Sequence, residues 1–447
     1  MTATHGVPPS SNRRDMELLQ ESINTPMMRR ILASSFLGTM IEFYDFLLYA
    51  TAAAVVFNKI FFISMSPAMA TFASFATLAA GYVARPLGAV IFGHFGDRLG
   101  RKGVLVVSML AMGICTTVIG LLPTAAQIGV LAPVILVSIR IIQGLAIGGE
   151  WGGAMLIALE HAPGGKRGFA ASFANLGAPA GAILGAIAMA LATTLPDEQF
   201  FSWGWRVPFL FSIVLVFIGM VVRLKVTESP LFQEFEKEAE TRRLPIMDVL
   251  TNYPKNLSLG ILVGMSQLMI AGIATVWAVN FAIEHGADKT GVLSAKAFAA
   301  AVMLIMTLIS AKLCDRYGRK PIIAVGIAAA MIFAYPMLLL VQTGTVANFT
   351  IAVMVAQGIQ GIILGPLAAF LAELFPTRVR FTGASVAFQG ASTIGAGLTP
   401  MVAAAIVLAT GGSIVTLGAV WIGALAISLL ALVFAPEGRK LELQEIK

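Results

Sequence analysis

Asp97-Arg98-Leu99-Gly100-Arg101-Lys102 reappears as Asp315-Arg316-Tyr317-Gly318-Arg319-Lys320, 218 residues further along a chain of 447. Gln143-Gly144 followed by Gly148 returns as Gln360-Gly361 followed by Gly365, at an offset of 217. Glu160 with Pro163 and Lys166-Arg167 returns as Glu373 with Pro376, Arg378 and Arg380, at an offset of 213. Three landmarks in one order at nearly one spacing describe a duplicated unit of about half the chain. The fold is therefore expected to consist of two like halves.

What each half is made of follows from the residues around the landmarks. Apolar residues make up 58% of the chain and charged residues 12%, against roughly a quarter charged in an average globular domain. A soluble protein of this composition could not cover its own surface. Cys115 and Cys314, the two cysteines, are too few for a disulfide framework. A membrane-crossing helix needs about 20 mostly apolar residues. Twelve such runs are legible, starting near Ile31, Ala68, Gly103, Ile128, Gly168, Trp205, Leu257, Leu293, Pro321, Phe349, Thr382 and Ser413. The expected fold is an all-α membrane protein of twelve transmembrane helices in two pseudo-symmetric six-helix halves. It divides into an N-terminal segment (1–30), a first half (31–224), a hydrophilic central loop (225–256), a second half (257–434) and a tail (435–447).

The net charge of +7 raises the possibility of a nucleic-acid partner, and the positions of the charges remove it. With the N-terminus inside, all Lys and Arg but seven of the 30 fall in the tails, the central loop and the inside connections. The exceptions are Lys59, Arg206, Lys289 and Lys296, expected in or beside outside loops, and Arg85, Arg140 and Arg223, expected within spans. This bias places both termini in the cytoplasm and the protein in the cytoplasmic (inner) membrane. All four histidines, His5, His94, His161 and His285, are expected in loops or tails.

The two Asp-Arg-x-Gly-Arg-Lys blocks resemble the signature of the major facilitator superfamily. More specifically, the chain resembles the metabolite:proton symporter family, which includes shikimate, α-ketoglutarate, citrate and proline/betaine transporters. The matching pieces are Glu42-Phe43-Tyr44-Asp45-Phe46, Arg85-Pro86-Leu87-Gly88 leading into Gly93-His94-Phe95-Gly96-Asp97, Arg140 with Gln143-Gly144, Gly148-Gly149-Glu150-Trp151-Gly152-Gly153 and Gly204-Trp205-Arg206-Val207-Pro208-Phe209. The resemblance implies a transporter working by alternating access, with no cofactor and no metal, whose partners are a small molecule, protons and the bilayer, and which acts as a monomer.

A charge inside an apolar span costs at least a few kcal/mol, so each one needs a partner or a role. Glu42, Asp45, Arg85, Arg140 and Glu150 meet that description. Converted to depth at about 1.5 Å per residue, they form two layers: Arg140 paired with Glu42 or Asp45 at the midplane, and Arg85 paired with Glu150 nearer the cytoplasm. With no histidine expected in a span, the proton carrier is expected to be Asp45, Glu42 or Glu150. Desolvation disfavours a charged carboxylate and a neighbouring arginine favours it. An anion that takes over Arg140 would therefore leave the carboxylate free to capture a proton. The second half carries Gln357 where the first has Arg140. Arg140, Tyr44, Gln143, Gln357, Gln360 and Gln389 are the expected substrate contacts, while Gln267 and Asn280 offer further amides. Asp97, Arg98, Gly100, Arg101 and Lys102, with Asp315, Arg316, Gly318, Arg319 and Lys320, are expected to gate the cytoplasmic side.

Gly148–Gly153 follows no strand and lacks the Lys-Ser/Thr ending of a phosphate loop. Small residues that let helices approach closely explain it better. Nothing in the sequence forms a catalytic constellation, so an enzyme is not expected. The expected activity is proton-coupled uptake of a small polar metabolite, an organic acid anion such as a shikimate- or dicarboxylate-like compound. The alternatives are uptake of an osmolyte such as proline or betaine, and export in exchange for protons, which draws on Gly177-Ala178-Pro179-Ala180-Gly181 in the fifth run.

Overall fold

The computed structural model describes residues 26–99, 101–148, 175–224, 245–376 and 379–437. Their long helices follow the twelve apolar runs. In the first half they are α1 (Pro26–Val55), α2 (Pro67–Leu99), α3 (Arg101–Leu121), α4 (Leu131–Ile147), α5 (Gly177–Ala192) and α6 (Arg206–Leu224). In the second they are α7 (Pro254–Glu284), α8 (Lys289–Tyr317), α9 (Arg319–Gln342), α10 (Val346–Glu373), α11 (Arg380–Ala409) and α12 (Ile414–Phe434). Eight of these regions are long and apolar enough to cross a membrane by that measure alone. Apolar side chains such as Leu87, Ile114, Phe217 and Ile332 are exposed around the outside. That surface suits hydrocarbon and would aggregate in water.

Local chemistry sets the helix ends. Asp288 accepts from the Gly291 N–H at 2.6 Å and caps the start of α8, satisfying a donor that the first turn leaves open. Gly318 closes α8 at φ 104°, a conformation glycine adopts without penalty. The glycine of the second repeat block is thus a turn requirement. One π-helical turn, Ile273–Trp277, interrupts α7, and another, Thr393–Leu398, interrupts α11.

Several boundaries depart from expectation. The described end of the central loop holds a short helix, Pro245–Asn252, before α7 begins at Pro254. α8 begins at Lys289, so Lys296 sits about two turns inside it and is buried at 4% exposure. Cys314 is buried within α8, and His94, expected in a loop, falls within the bounds of α2. Lys296 and Cys314 lie where α8 extends past the apolar run that announced it, because residues shielded by neighbouring helices need not be apolar.

The near end of the bundle is where α1 begins, and the far end is where α1 finishes. Across the seam between halves, α5 packs on α8 and α2 packs on α11. Polar groups tie the seam at its far end. Asn280 Nδ2 donates to the Ala54 carbonyl (2.9 Å), Thr71 to Glu284 (3.3 Å) and Thr290 to the Thr193 carbonyl (3.1 Å). Lys289 pairs with Asp197 at 2.5 Å and lies over the rings of Phe200 and Phe201. Nearer the middle, Thr393 donates to the Tyr82 carbonyl at 2.9 Å.

Candidate functional site

Between α1, α2 and α4 the first half buries two arginines against aromatic faces. The Arg140 guanidinium lies 4.1 Å from the ring centre of Phe46 and 4.0 Å from that of Tyr49. Arg85 lies 3.9 Å from Phe46 and 4.5 Å from Tyr82. A desolvated guanidinium over an aromatic face gains about 2 kcal/mol, which offsets part of its burial. The Tyr49 hydroxyl donates to Thr77 at 2.7 Å, fixing the ring. Arg140 Nη1 donates to Gln143 Oε1 at 2.5 Å. Its Nε and Nη2 are buried with no hydrogen-bond partner. Those two donors share one edge of a planar group whose geometry matches a carboxylate.

Asp45 is fully buried and accepts from the Ser212 hydroxyl, while its Oδ2 has no hydrogen-bond partner. Arg140 was expected to pair with Glu42 or Asp45, and no ion pair joins it to Asp45. Gln143 takes the arginine's Nη1 and passes its own Nε2–H to Thr116 Oγ1 at 2.8 Å, so an amide and a hydroxyl stand where an ion pair was expected. Glu42 is buried at 4% exposure, and Glu150 lies outside the described residues, as does the pairing expected of it. Phe46 touches both guanidiniums and so links the two levels expected of them. Tyr44, expected to meet substrate, donates its hydroxyl to the Pro208 carbonyl at 2.7 Å and anchors α1 on α6.

Opposite, the second half supplies amides. Gln357 Nε2 donates to Gln360 Oε1 at 2.8 Å, and Gln360 Nε2 donates to Gln267 Oε1 at 2.9 Å. The first of these bonds reproduces, 217 residues later, the bond from Arg140 to Gln143. Gln389 Oε1 is buried without a partner. Gln389 stands one turn before Thr393, which bonds Tyr82, and Arg85 stands three residues beyond Tyr82. The two helices run in opposite directions, so Gln389 and Arg85 occupy one level across the seam. Lys296 escaped the sequence reading. Its ammonium donates to Thr51 Oγ1 of α1 at 2.5 Å, placing a buried cation on the seam. Asn280 is taken up by the far-end tie.

In the second repeat block, Arg319 bridges Asp315 (3.5 Å) and Glu373 (3.1 Å) and donates to the Cys314 carbonyl. The backbone N–H groups of Arg319 and Lys320 donate to Glu437. Lys320 Nζ reaches the carbonyls of Val433 and Ala435, and Arg316 lies over Tyr317. These contacts bind α8, α9, α10 and the end of α12 inside one half. In the first block, Asp97 and Arg98 belong to α2 and Arg101 and Lys102 to α3; Gly100 and the side chains of the other four lie outside the described residues. Among the described residues no group of three or more His, Cys, Asp or Glu could hold a metal ion.

The family model for the Major Facilitator Superfamily matches residues 35–400. The inner membrane metabolite transport protein YhjE of Escherichia coli is 42% identical over 391 residues, covering 85% of this chain and 88% of that protein. The shikimate transporter of Escherichia coli is 38% identical over 384 residues, covering 85% and 88%. The glycine betaine/proline/ectoine/pipecolic acid transporter OusA of Dickeya dadantii is 31% identical over 394 residues, covering 86% and 78%. Among solved structures, a D-xylose-proton symporter superposes with a TM-score of 0.70 at 19% identity, covering 93% of this chain and 99% of that one. The inward-open xylose transporter XylE of Escherichia coli gives 0.68 at 18%, covering 93% and 98%. At such identities the structural likeness is one of fold.

Proposed function

Because this chain belongs to the Major Facilitator Superfamily, we propose that it takes up a small organic acid anion together with protons. It is a multi-pass metabolite transporter and not an enzyme; the proposal concerns its cargo, its coupling and its direction. The observation that carries it is the open edge of Arg140, whose Nε and Nη2 are buried and unpartnered. Leaving charged donors dry and unpaired is costly, and a carboxylate on that edge would restore two charge-assisted bonds. On this reading Arg85 adds positive potential through Phe46, while Gln357, Gln360, Gln267 and Gln389 select the rest of the cargo.

Coupling follows from the neighbouring carboxyl. With the edge empty, Arg140 bears with its full charge on Asp45. An anion on the edge cancels that field, and Asp45 takes up a proton as the cargo binds. Release of the anion on the other side restores the field and expels the proton. Glu42 and Glu150 are the remaining candidates for the same role. Residues 31–224 and 257–434 are the two moving halves, one chain holds the whole path, and the charge bias puts both termini in the cytoplasm.

Two observations weigh on the alternatives. A betaine has no hydrogen to offer Gln389 Oε1, whereas a hydroxylated acid does, which favours the acid over betaine. The Gly177–Gly181 stretch lies against α1, where a Cβ on Gly177 would sit 2.7 Å from Thr39 Cβ and 2.8 Å from Met40 N. Close helix approach thus accounts for those glycines without an exporter.

In vesicles, Asp45→Asn should abolish proton-driven accumulation of labelled shikimate and of a panel of related acids. It should still permit exchange of cargo across the membrane, which needs no proton release. Undiminished accumulation in Asp45→Asn would move the proton to another group, and uptake of betaine but of no acid in the wild type would overturn the cargo.

A further inference from the structure

Lys296 is a buried cation for which the reading given above has no use. It is 4% exposed, and its ammonium donates to Thr51 Oγ1 of α1 at 2.5 Å. Thr51 gives its own hydrogen to the Leu47 carbonyl at 2.8 Å, so it only accepts from the lysine. An ammonium has three donors, and among the described residues this one uses a single donor and meets no carboxylate. The other cations of the far end are provided for differently. Lys289 has Asp197, Arg206 donates to the Gly120 and Leu122 carbonyls of its own half, and Lys59 lies over Phe201 of its own half. Lys296 is held by a neutral group of the opposite half. A neutral donor in its place would tie α8 to Thr51 without burying a charge, so the tie does not explain the charge.

We infer that Lys296 is the site that first holds the cargo's carboxylate on entry from the far side. This inference rests on the reading of the cargo as an organic acid anion. Alternating access rocks one half against the other, and opening the far end breaks the bond from α8 to α1. Lys296 then keeps its charge and loses its partner at the moment the seam admits water and cargo. A carboxylate arriving there meets a charged donor, the stronger kind of hydrogen-bond partner. When the halves close, Thr51 Oγ1 takes the ammonium back, and the anion has to move on.

Arg140 is where it goes. Its guanidinium lies 4.0 Å from the Tyr49 ring centre, and Tyr49 precedes Thr51 by two residues, about 3 Å along the axis of α1. The two cations thus bear on α1 at nearly one level. Two residues also turn a helix through about 200°, so they bear on different sides of it, and one small anion does not touch both. They act in succession. Lys296 holds the anion while the far end is open, and the unpartnered Nε and Nη2 of Arg140 hold it once Thr51 has reclaimed the lysine. Thr51 is the element that turns closure into transfer.

The test separates the charge from the tie. Initial uptake of labelled shikimate by intact cells is measured against external concentration. Lys296→Gln keeps a donor for Thr51 and loses the charge; half-saturation should rise about 10-fold or more. Lys296→Arg keeps the charge and should stay within about threefold of the wild type. A reporter cysteine at Thr71, labelled by an impermeant maleimide in the same backgrounds, reads how often the far end is open. The rise in Lys296→Gln should exceed any slowing of that labelling. Thr51→Val leaves the lysine and removes the group that reclaims it; maximal uptake should fall about 10-fold with half-saturation no higher than the wild type's. A half-saturation unchanged in Lys296→Gln, or raised only as much as labelling slows, overturns the arrival site and leaves Arg140 as the cargo site. Should Lys296→Gln fail to reach the membrane, an unchanged maximal rate in Thr51→Val overturns it instead. Wild-type uptake of betaine but of no acid overturns the cargo reading and this inference together.

Discussion

A methyl group at position 81 would lie 2.7 Å from Arg140 Nε and 2.8 Å from its Cγ. Glycine on α2 thus leaves the space in which the arginine stem lies, and the charge reaches Phe46 and Tyr49 because of it. Gly81→Ala should push the stem aside at a cost of about 1–3 kcal/mol. Half-saturation for shikimate uptake should rise roughly 10-fold or more, with expression nearly unchanged; initial-rate uptake against concentration measures it. Arg140→Lys retains the charge but loses the two-donor edge, and binding of a carboxylate should weaken by a similar factor or more. The charged residues of this site stand out in the sequence because charge inside an apolar run is conspicuous. Their partners do not. Sequence gives the level of a residue along its helix, but not that Phe46 gathers both arginines, nor that Gln143 intercepts the bond expected between Arg140 and Asp45. Tyr44 shows the same limit: the neighbour of a critical residue on α1, it points its hydroxyl at the backbone of α6.

Lys296 illustrates what a helix boundary conceals. Hydropathy places the start of α8 near Leu293, where the lysine reads as a loop residue. The helix instead starts at Lys289 and carries the ammonium under α1. Burying an ammonium costs several kcal/mol, and one charged hydrogen bond to Thr51 returns about 1.5–3. Closing the far end over Lys296 is therefore opposed by dehydration more than it is helped by the bond. Lys296→Met should favour the far-closed state. A reporter cysteine at Thr71, on the same seam, should then be labelled more slowly by a membrane-impermeant maleimide than in the lysine background; faster labelling would show that the bond outweighs the dehydration. The π turn of α11 has its own effect at this scale. It presents Thr393 to Tyr82 and holds α11 against α2, a contact that no periodicity in the sequence announced.

The described hydrogen bonds and ion pairs that cross between the halves lie at the far end or near mid-depth. On the proposed orientation the far end faces outside and the central hydrophilic segment faces the cytoplasm. A cysteine at Glu236, in the central hydrophilic segment, should accordingly resist impermeant reagents applied from outside intact cells and react after permeabilisation. The duplication itself was fully legible, because a repeat with fixed spacing survives any error in placing single helices. The asymmetry was legible with it, because Gln357 stands where the first half has Arg140. The first half holds Arg140, Arg85 and Asp45, and the matching face of the second holds the neutral chain Gln357, Gln360 and Gln267. A neutral amide can be exchanged for another polar side chain at about 1 kcal/mol per bond, whereas a buried charge cannot be altered without disabling its neighbours. On the proposed division of roles, mutation can therefore explore new diets on one side of the molecule while the machinery that supplies the energy stays fixed on the other. That asymmetry gives a lineage of such carriers a route to relatives as different as a shikimate transporter and a betaine transporter on one scaffold.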